Sequence, residues 1–504
     1  NALPPLRRRQ VLAGMAGVAA AGLLPRGAFA QDGNVLKIRG NANPSSLDPA
    51  TGGAGSDHVY LYNFYDTLVD WEPETLAPKP GLAASWEFPE PKTLVLKLQE
   101  GVTFHDGTPF NAEAVKFNLD RARTAGVSNI KSDVANIAEV EATDELTVTL
   151  TLSAPDTALP LILSDRAGMM ISPDALGNDP EATVEREPVG TGPWTFDSWT
   201  DGEKITGSRF EDHWREGVPG VDNIEFVIIP ETATGLRAIQ SGQVNSAYQL
   251  DERQQQLIDK MPNLTLVSGP TLYIYQLYVN SARGALQDVR VRRALSLAID
   301  REAYVAATQA GVGEVATMNL PKAHWAWSEE ASKHVRYDPE EAKKLLAEAG
   351  YEDGLTIDFY AYRDREYAEA ITSYLNAVGI DTNFKMLQYS ALREQNMKGE
   401  TAVSFQTWGS YSINDASAMV SQFFKHGSLD STRDDEVLEW LDVADSSTNP
   451  DERIENYTKA LKKITKEAYW APMFSYNTNY VFTGDVSYTP TADEVLRFVD
   501  MSWN

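Results

Sequence analysis

The chain has 504 residues, of which 42% are hydrophobic and 23% charged, and it contains no cysteine. This length allows roughly three domains of about 150 residues each, and the composition is that of an ordinary globular protein. The formal net charge of −28 argues against nucleic acid and anionic lipid surfaces as partners.

Residues 1–30 have the pattern of an export signal. Three arginines at 7–9 precede an apolar run over 11–24, and the segment closes on Ala28-Phe29-Ala30, a small-x-small cleavage site. The Arg8-Arg9 pair followed by Gln, Val and Leu predicts a signal peptide of the twin-arginine type.

Removal of this segment leaves 40 basic and 72 acidic residues, a net charge of −32. The absence of cysteine excludes disulfide bonds and a lipid-modified N-terminal cysteine. No other segment reaches about 18 uninterrupted apolar residues. We therefore expect a free monomer in an enclosed compartment, the periplasm.

The first half of the chain mixes strands and helices. The segments "TLVLKLQ" and "ELTVTLTL" alternate with period two, which predicts antiparallel strands. In "FHDGTPFNAEAVKFNLDR", Asp106-Gly107 indicates a turn and Asn111 an N-cap for a helix over 112–125. We therefore interpret His105 as a structural residue and not as half of a metal or catalytic site.

The second half carries clear helix signals. Asp338 and Asn449 each precede a proline and an N3 glutamate, which predicts two capped helices. A third helix is predicted in "VRVRRALSLAIDREAYV", and strand, helix and strand patterns follow one another over 355–387. The apolar positions at helical spacing or on one helix face are Val291, Ala294, Leu295, Ala298, Leu345, Leu346 and Ala349. Those expected to be buried in the helix after Asn449 are Ile454, Tyr457, Leu461 and Ile464.

These patterns predict an α/β protein with mixed sheets. No Gly/Ser-rich linker divides the chain, so its domains are expected to exchange segments.

The motifs of the common hydrolases and nucleotide-binding enzymes are missing. There is no HExxH, GxSxG, GxGxxG or Walker sequence, and the six histidines are not at metal-ligand spacing. Ser128 and Lys131 satisfy S-x-x-K, but the companion elements of penicillin-recognising hydrolases are absent. We expect no enzyme, cofactor or metal, and an exported hydrolase is the less favoured alternative.

Several blocks along the chain resemble the family 5 extracellular solute-binding proteins, the peptide-, opine- and nickel-binding components of ABC importers. They are "SSLDPATGGAGSDHVYLYNFYDTLVDWEPE", "FHDGTPFNAEAVKFNLDR", "VGTGPWTFDSWTDGEKI", "DVRVRRALSLAIDRE", "YDPEEAKKLLAEAGY" and "EAYWAPMFSYNTNYVF". The resemblance implies a two-lobed clamshell of the class II type in its enlarged, three-domain version. Lobe one would comprise 32–270 plus 478–504, with an inserted subdomain at about 60–185, and lobe two 271–477.

The resemblance also implies candidate ligand-binding residues on lobe one. Tyr248 and Gln249 follow the Gly-x-Val-Asn segment that precedes pocket residues in the family, and a core tyrosine is the alternative for Tyr248. Asn43 and Ser46 of the opening block are weaker candidates.

On lobe two, Tyr389 follows the crossover strand, and Trp408 heads the segment that reads the amino end of the ligand in the family. Peptide binders have an aspartate three residues after this tryptophan. Here Tyr411 takes that place and Asp415 is the next acid, so either Asp415 replaces it or the ligand lacks a free amine.

Arg363 and Arg365 correspond to residues that bind the ligand carboxylate in dipeptide-type relatives, with a solvated charge run as the alternative. The resemblance implies a protein that delivers a peptide, opine or similar solute to ABC permease subunits in the inner membrane. Oligosaccharides, metal chelates and a chaperone or sensor role are the open alternatives.

Overall fold

The computed structural model describes residues 34–504 except 249, 251–254, 256, 259, 262, 310–312, 410–412, 485, 500 and 504. The signal peptide expected at residues 1–30 lies outside this part of the chain.

The described chain contains 19 strands. In chain order they are β1 (Val35–Gly40), β2 (Val69–Trp71), β3 (Pro78–Pro80), β4 (Ala83–Glu90), β5 (Thr93–Leu98), β6 (Ile137–Asp144), β7 (Thr147–Leu152), β8 (Trp194–Thr200), β9 (Lys204–Arg209), β10 (Asn223–Ile228), β11 (Ser246–Tyr248), β12 (Leu264–Val279), β13 (Glu314–Val315), β14 (Leu355–Ala361), β15 (Ile380–Met386), β16 (Val403–Trp408), β17 (Trp470–Thr483), β18 (Val486–Ser487) and β19 (Ser502–Trp503).

One mixed sheet of eleven strands runs through most of the molecule, in the order β15-β14-β16-β12-β17-β11-β1-β10-β9-β8, with β13 on β17. Its middle is the antiparallel pair β12–β17, in which Leu264 faces Thr483 at one end and Tyr278 faces Trp470 at the other. The register of this pair shifts between Pro270 and Ile274, so the two long strands change direction halfway along. These strands therefore join the two ends of the sheet.

A separate four-stranded antiparallel sheet has the order β4-β5-β7-β6. The antiparallel pairing predicted for "TLVLKLQ" and "ELTVTLTL" is confirmed by the β5–β7 ladder, in which Leu94 faces Leu150 and Leu96 faces Val148. The apolar side chains of these strands form one hydrophobic core with the helix that follows Asn111.

Thirteen α-helices are described. They are α1 (His58–Phe64), α2 (Ala112–Thr124), α3 (Leu159–Ile162), α4 (Thr232–Gln240), α5 (Val289–Leu297), α6 (Arg301–Thr308), α7 (Glu329–Ser332), α8 (Pro339–Glu348), α9 (Arg365–Ala377), α10 (Tyr389–Met397), α11 (Gln422–Phe424), α12 (Asp435–Ser446) and α13 (Pro450–Lys466). Short 3₁₀ segments lie at Gly55–Asp57, Arg166–Gly168, Asp174–Leu176 and Gly284–Gln287, and a π-helical turn at Ser417–Ser421.

The predicted helix starts are confirmed. The side chains of Asn111, Asp338 and Asn449 each accept a hydrogen bond from the first turn of α2, α8 and α13. The crossover unit is also confirmed, because β14 and β15 are parallel strands joined by α9. The prediction that Ile454 is buried is wrong: its side chain is 40% exposed, because the apolar stripe of α13 begins one turn later, at Tyr457.

The hydrophobic interior is divided into several cores. One lies between β4–β7 and α2, and two others surround β1, β10 and the strands that pair with them. Two further cores lie on the other side of the β12–β17 pair, one around β14–β16 and one around α12 and α13. The α/β class with mixed sheets is confirmed. The exact boundaries of two lobes and of an inserted subdomain stay a prediction.

Candidate functional site

The C-terminal ends of three neighbouring strands meet at one edge of the large sheet. Both β15 and β16 run parallel to β14, and their last residues are followed by side chains that lie together. The rings of Tyr362 and Tyr389 are 5.1 Å apart, and the Tyr362 hydroxyl lies 3.0 Å from Oγ1 of Thr407. Such an edge is where ligands bind in α/β sheets.

Arg363 stands at this edge, directly after β14. Its Nε donates a hydrogen bond to Oδ2 of Asp364 at 2.6 Å, and its guanidinium carbon lies 5.8 Å from the centre of the Tyr275 ring. The side chain is 48% exposed. A half-exposed guanidinium held over an aromatic ring is suited to bind a carboxylate.

Arg365 has a different environment. It opens α9, and its Nη1 donates to Oε1 of Glu369 one turn further along the helix, at 2.9 Å. Its guanidinium packs over the Phe384 ring of β15, at 5.2 Å. Arg365 therefore has surroundings typical of the solvated charge run that the sequence left open as an alternative. The exposed ion pair of Arg363 with Asp364 fits the same alternative.

A cavity of about 170 Å³ lies beside the middle of β12 and β17. Tyr248 lines it, and the Tyr248 hydroxyl donates to Oδ1 of Asn41 at 3.2 Å. Burial raises the pKa of Tyr248 to about 12, so the phenol is neutral and able to donate. The cavity is lined by Asn41, Gly55, Ser56, His58, Val59, Tyr248, Tyr273, Asp493, Glu494 and Val495.

Glu494 connects this cavity with the edge that carries Arg363. Its Oε2 accepts a hydrogen bond from the Tyr476 hydroxyl at 3.0 Å. Burial raises the pKa of the Glu494 carboxyl to about 7, against the opposing effects of the Tyr476 hydrogen bond and the Arg363 guanidinium. The Tyr476 ring lies 5.9 Å from that of Tyr275, on which Arg363 rests. We use the term cleft for the site bounded by Tyr248, Tyr273, Tyr275, Arg363, Tyr476 and Glu494.

Trp408 ends β16 next to the cleft. Its Nε1 donates to the carbonyl of Ala418 in the π-helical turn at 3.0 Å, and its ring packs edge-on against Phe423 at 5.2 Å. The following residue, Gly409, is in contact with the Tyr273 ring, which would lie 2.7 Å from a Cβ at that position. Trp408 is therefore a fixed, partly buried wall beside the cleft, and residue 409 must stay a glycine for Tyr273 to keep its place.

Asp415 lies inside the core around α12 and α13. Its side chain has no exposure, and both carboxylate oxygens accept from Nη2 of Arg453, at 3.0 and 2.8 Å. Burial alone would raise the pKa of Asp415, but Arg453 and the backbone amide of Ser417 hold it below its usual value. The charge of Asp415 is thus compensated within the protein without a ligand.

The candidates of the opening block hold a loop together. Oδ1 of Asn43 accepts from the backbone amide of Gly202 at 3.1 Å. The Ser46 hydroxyl is buried, accepts from the amide of Asp48 at 2.9 Å and pairs with Oγ1 of Thr51 at 2.8 Å. The remaining candidates, Gln249 and Tyr411, lie outside the described residues.

Several residues of the cleft were not found by sequence reasoning. Tyr273 and Tyr275 of β12 lie near Tyr476 because β12 and β17 pair across the molecule, and Glu494 joins them through its hydrogen bond with Tyr476. Asn41, which lines the adjacent cavity, contacts Tyr248. The spacing of tyrosines in "TLYIYQLY" and "FSYNTNY" is the one sequence signal that points to the three strand tyrosines Tyr273, Tyr275 and Tyr476 of the cleft. Nothing local distinguishes Glu494 from the other acids.

The structure gives His105 an internal role. Its Nε2 lies 2.8 Å from the carbonyl of Gly192, and its Nδ1 accepts from the amide of Gly190 at 3.3 Å. Within the described ranges, no group of three or more His, Asp or Glu side chains is arranged to hold a metal ion. None of the helices described is long and apolar enough to cross a membrane.

The sequence pattern of the bacterial extracellular solute-binding proteins, family 5 Middle, matches residues 77–430. The chain is also 30% identical over 474 residues to the glutathione-binding protein GsiB of Shigella flexneri serotype 5b (strain 8401), covering 91% of each chain. The chain belongs to this family. Family 5 members bind solutes and are not enzymes.

Two solved structures have the same fold. HbpA2 from Haemophilus parasuis superposes with a TM-score of 0.83 at 22% identity, over 94% of this chain and all of that one. The unliganded open form of MppA, a periplasmic murein tripeptide-binding protein, gives a TM-score of 0.81 at 19% identity, over 94% and 98% of the two chains. The predicted periplasmic-binding-protein fold is thereby confirmed.

Proposed function

We propose that this protein captures a peptide-like solute with a free carboxylate in the cleft and delivers it to the permease subunits of an ABC importer. The observation that carries the proposal is the position of Arg363, half exposed at the C-terminal edge of β14–β16 and supported by the Tyr275 ring. The Nε of Arg363 is engaged by Asp364, and a guanidinium carries further donors with which it can bind a carboxylate. The related glutathione-binding protein supports the same ligand class.

The tyrosines of the cleft supply flat contact area around this charged group. Tyr273 and Tyr476 stack with their ring centres 6.2 Å apart, and Tyr248 lines the same cavity as Tyr273. Aromatic walls with a few polar groups are typical of small-molecule sites. Aromatic faces also bind sugars, but a neutral oligosaccharide offers no partner for Arg363, which is why we favour a carboxylate.

The two long strands β12 and β17 are the proposed hinge. We assign 32–270 plus 478–504 to one lobe, with the inserted subdomain at about 60–185, and 271–477 to the other. Both boundaries fall where the register of β12 and β17 shifts, between Pro270 and Ile274. Ligand contacts made by both lobes would favour a closed form, which the permease then recognises. We further propose that a signal peptide of the twin-arginine type exports the protein to the periplasm.

The proposal is tested by thermal unfolding of the mature protein with trialanine, S-methylglutathione, octopine, maltotriose and a nickel–histidine chelate. A ligand at about 100 times its Kd adds about 2.7 kcal/mol to the free energy of unfolding and raises Tm by several degrees. We expect a shift with at least one of the three carboxylate-bearing peptide-like compounds. We expect Arg363→Ala to remove it.

Arg365→Ala is the matched control. It removes the same type of side chain only two residues from Arg363, and Arg365 is paired with Glu369. It should keep the ligand-induced shift. A shift with maltotriose alone, or an undiminished shift in Arg363→Ala, would contradict the proposed ligand class.

A further inference from the structure

Glu494 belongs to a C-terminal segment that is fixed from both sides. The preceding residue, Asp493, forms a buried ion pair with Arg497 at 2.6 Å, and the Arg497 guanidinium packs 4.1 Å from the centre of the Tyr62 ring. The Thr491 hydroxyl donates to the carbonyl of Val495 at 2.6 Å. The two adjacent acids therefore have different surroundings, because Asp493 is compensated by Arg497 and Glu494 is directed into the cleft.

The backbone at Glu494 is unusual for a residue with a side chain. Its φ is 65°, in the left-handed region that favours glycine. A glutamate is strained in this conformation, and such strain persists where the surrounding contacts fix it. The conformation places the carboxylate at the wall of the cavity, in contact with the Tyr476 hydroxyl.

The carboxylate of Glu494 lacks a full charge partner. Among the described residues it receives the Tyr476 hydroxyl but forms no salt bridge. Burial and the neighbouring Asp493 raise its pKa, while Arg363 acts from across the cleft to lower it. A partly buried carboxylate without a cation is costly to ionise, and a ligand cation beside it would lower that cost.

We propose that Glu494 binds the ammonium group of the ligand, and that Glu494 and Arg363 together hold an α-amino-acid head group. In such a group the ammonium and the carboxylate share one carbon, as they do at the γ-glutamyl end of glutathione. The inference rests on the proposed function and specifies its ligand further. Peptide binders of the family have an aspartate for the ligand amine at the place that Tyr411 takes in this sequence. In this proposal Glu494, and not Asp415, provides the missing acid.

Arg363 and Glu494 are connected through the tyrosines of the cleft. The Arg363 guanidinium carbon lies 5.8 Å from the centre of the Tyr275 ring, and the Tyr275 and Tyr476 ring centres are 5.9 Å apart. The Tyr476 hydroxyl lies 3.0 Å from Oε2 of Glu494, and Arg363 acts electrostatically on the Glu494 carboxyl. Bonds of about 1.5 Å from the α-carbon to its nitrogen and to its carboxyl carbon keep the two charges of a head group close. The amine and carboxylate of a linear tripeptide are several times farther apart.

Binding of such a ligand must be coupled to ionisation of Glu494. The carboxyl has a pKa of about 7 without ligand, so it must release a proton to pair with an ammonium, and affinity should rise between pH 6 and pH 8. The titratable and charged groups that face it or line the same cavity are Tyr476, Asp493, Arg363, His58, Tyr248 and Tyr273. His58 lines the same cavity and is paired with Asp165 at 2.6 Å, so its protonation could also change the affinity with pH. The pH profile is therefore compared between the wild type and a variant that lacks only the Glu494 carboxylate.

Isothermal titration calorimetry with S-methylglutathione and its N-acetyl derivative tests the inference, at pH 6 and pH 8. We expect Glu494→Gln to weaken binding of the free amine about 10-fold or more at pH 8 and to abolish its pH dependence. The N-acetyl derivative should bind the wild type and Glu494→Gln with the same, weaker affinity. Glu203→Gln removes an exposed charge elsewhere and should match the wild type.

The outcomes separate this inference from the proposed function. Equal affinity of wild type and Glu494→Gln for S-methylglutathione would overturn the role of Glu494 and leave the proposed function intact. Binding of trialanine without binding of S-methylglutathione would likewise overturn the inference about the head group and leave the proposed function intact. Failure of all peptide-like compounds to bind the wild type would overturn both.

Discussion

Arg363 and Arg365 are separated by one residue, yet only Arg363 borders the cleft. Arg365 points along α9 to Glu369, whereas Arg363 lies over the Tyr275 ring of a strand that is distant in sequence. The family resemblance implied both as carboxylate anchors, with a solvated charge run as the alternative. The sequence does not contain the direction of each side chain, which depends on the ring beneath it.

Glu494 illustrates the same limit more strongly. Its hydrogen bond joins it to Tyr476, its pKa depends on Arg363, and its backbone conformation is one that a glutamate seldom adopts. None of these properties follows from the local sequence "TADEV". They arise from tertiary contacts, which is why the residue was missed.

Asp415 is expected to contribute to stability and not to ligand binding. Asp415→Asn leaves the Arg453 guanidinium uncompensated in the core and should lower the free energy of unfolding by about 3 kcal/mol. The depressed pKa of Asp415 means that this contribution is present above its unfolded pKa of 3.8 and is lost as the pH falls below it. Urea unfolding at pH 7 and pH 3 measures both effects.

The matched control for this change is Asp201→Asn. Asp201 pairs with Arg186 at the surface, where it is 61% exposed, so its loss should cost less than about 1 kcal/mol. At urea concentrations and temperatures at which the variant is still folded, Asp415→Asn should bind the same ligands as the wild type. Loss of binding in a variant of unchanged stability would place Asp415 in the site instead.

At the scale of helices and strands, the sequence predicted the features that depend on neighbouring residues in the chain. The caps of α2, α8 and α13 were found because each combines a capping side chain with a suitable first turn. The parallel unit of β14, α9 and β15 was found because its three patterns follow one another closely. The exposure of Ile454 was missed because the period of a helix does not tell where its apolar stripe begins.

The cap of α13 gives a prediction at this scale. Asn449 accepts hydrogen bonds from the amides of Asp451 and Glu452, and Asn449→Ala should destabilise the protein by about 1 kcal/mol. Asn376→Ala makes the same substitution on the exposed side of α9, where alanine suits the helix better, and should be neutral or slightly stabilising. Chemical denaturation of the two variants compares them, and an equal loss in both would refute the capping role.

At the scale of the molecule, the eleven-stranded sheet follows from pairings between distant parts of the chain. β12 and β17 are about 200 residues apart, and their pairing brings together the tyrosine wall and the strands that we propose as a hinge. Periodicity cannot specify such a pairing, so only the family resemblance predicted the two-lobed arrangement. The tyrosine wall therefore follows from the topology, while the proposed ligand class rests on Arg363.

The most direct test of the account is native mass spectrometry of the protein purified from its natural host without denaturation. We expect a bound compound whose mass and fragmentation identify a peptide-like acid, and we expect it to be absent from Arg363→Ala and retained by Arg365→Ala. A bound neutral sugar, or a peptide-like acid retained in full by Arg363→Ala, would contradict the central claim.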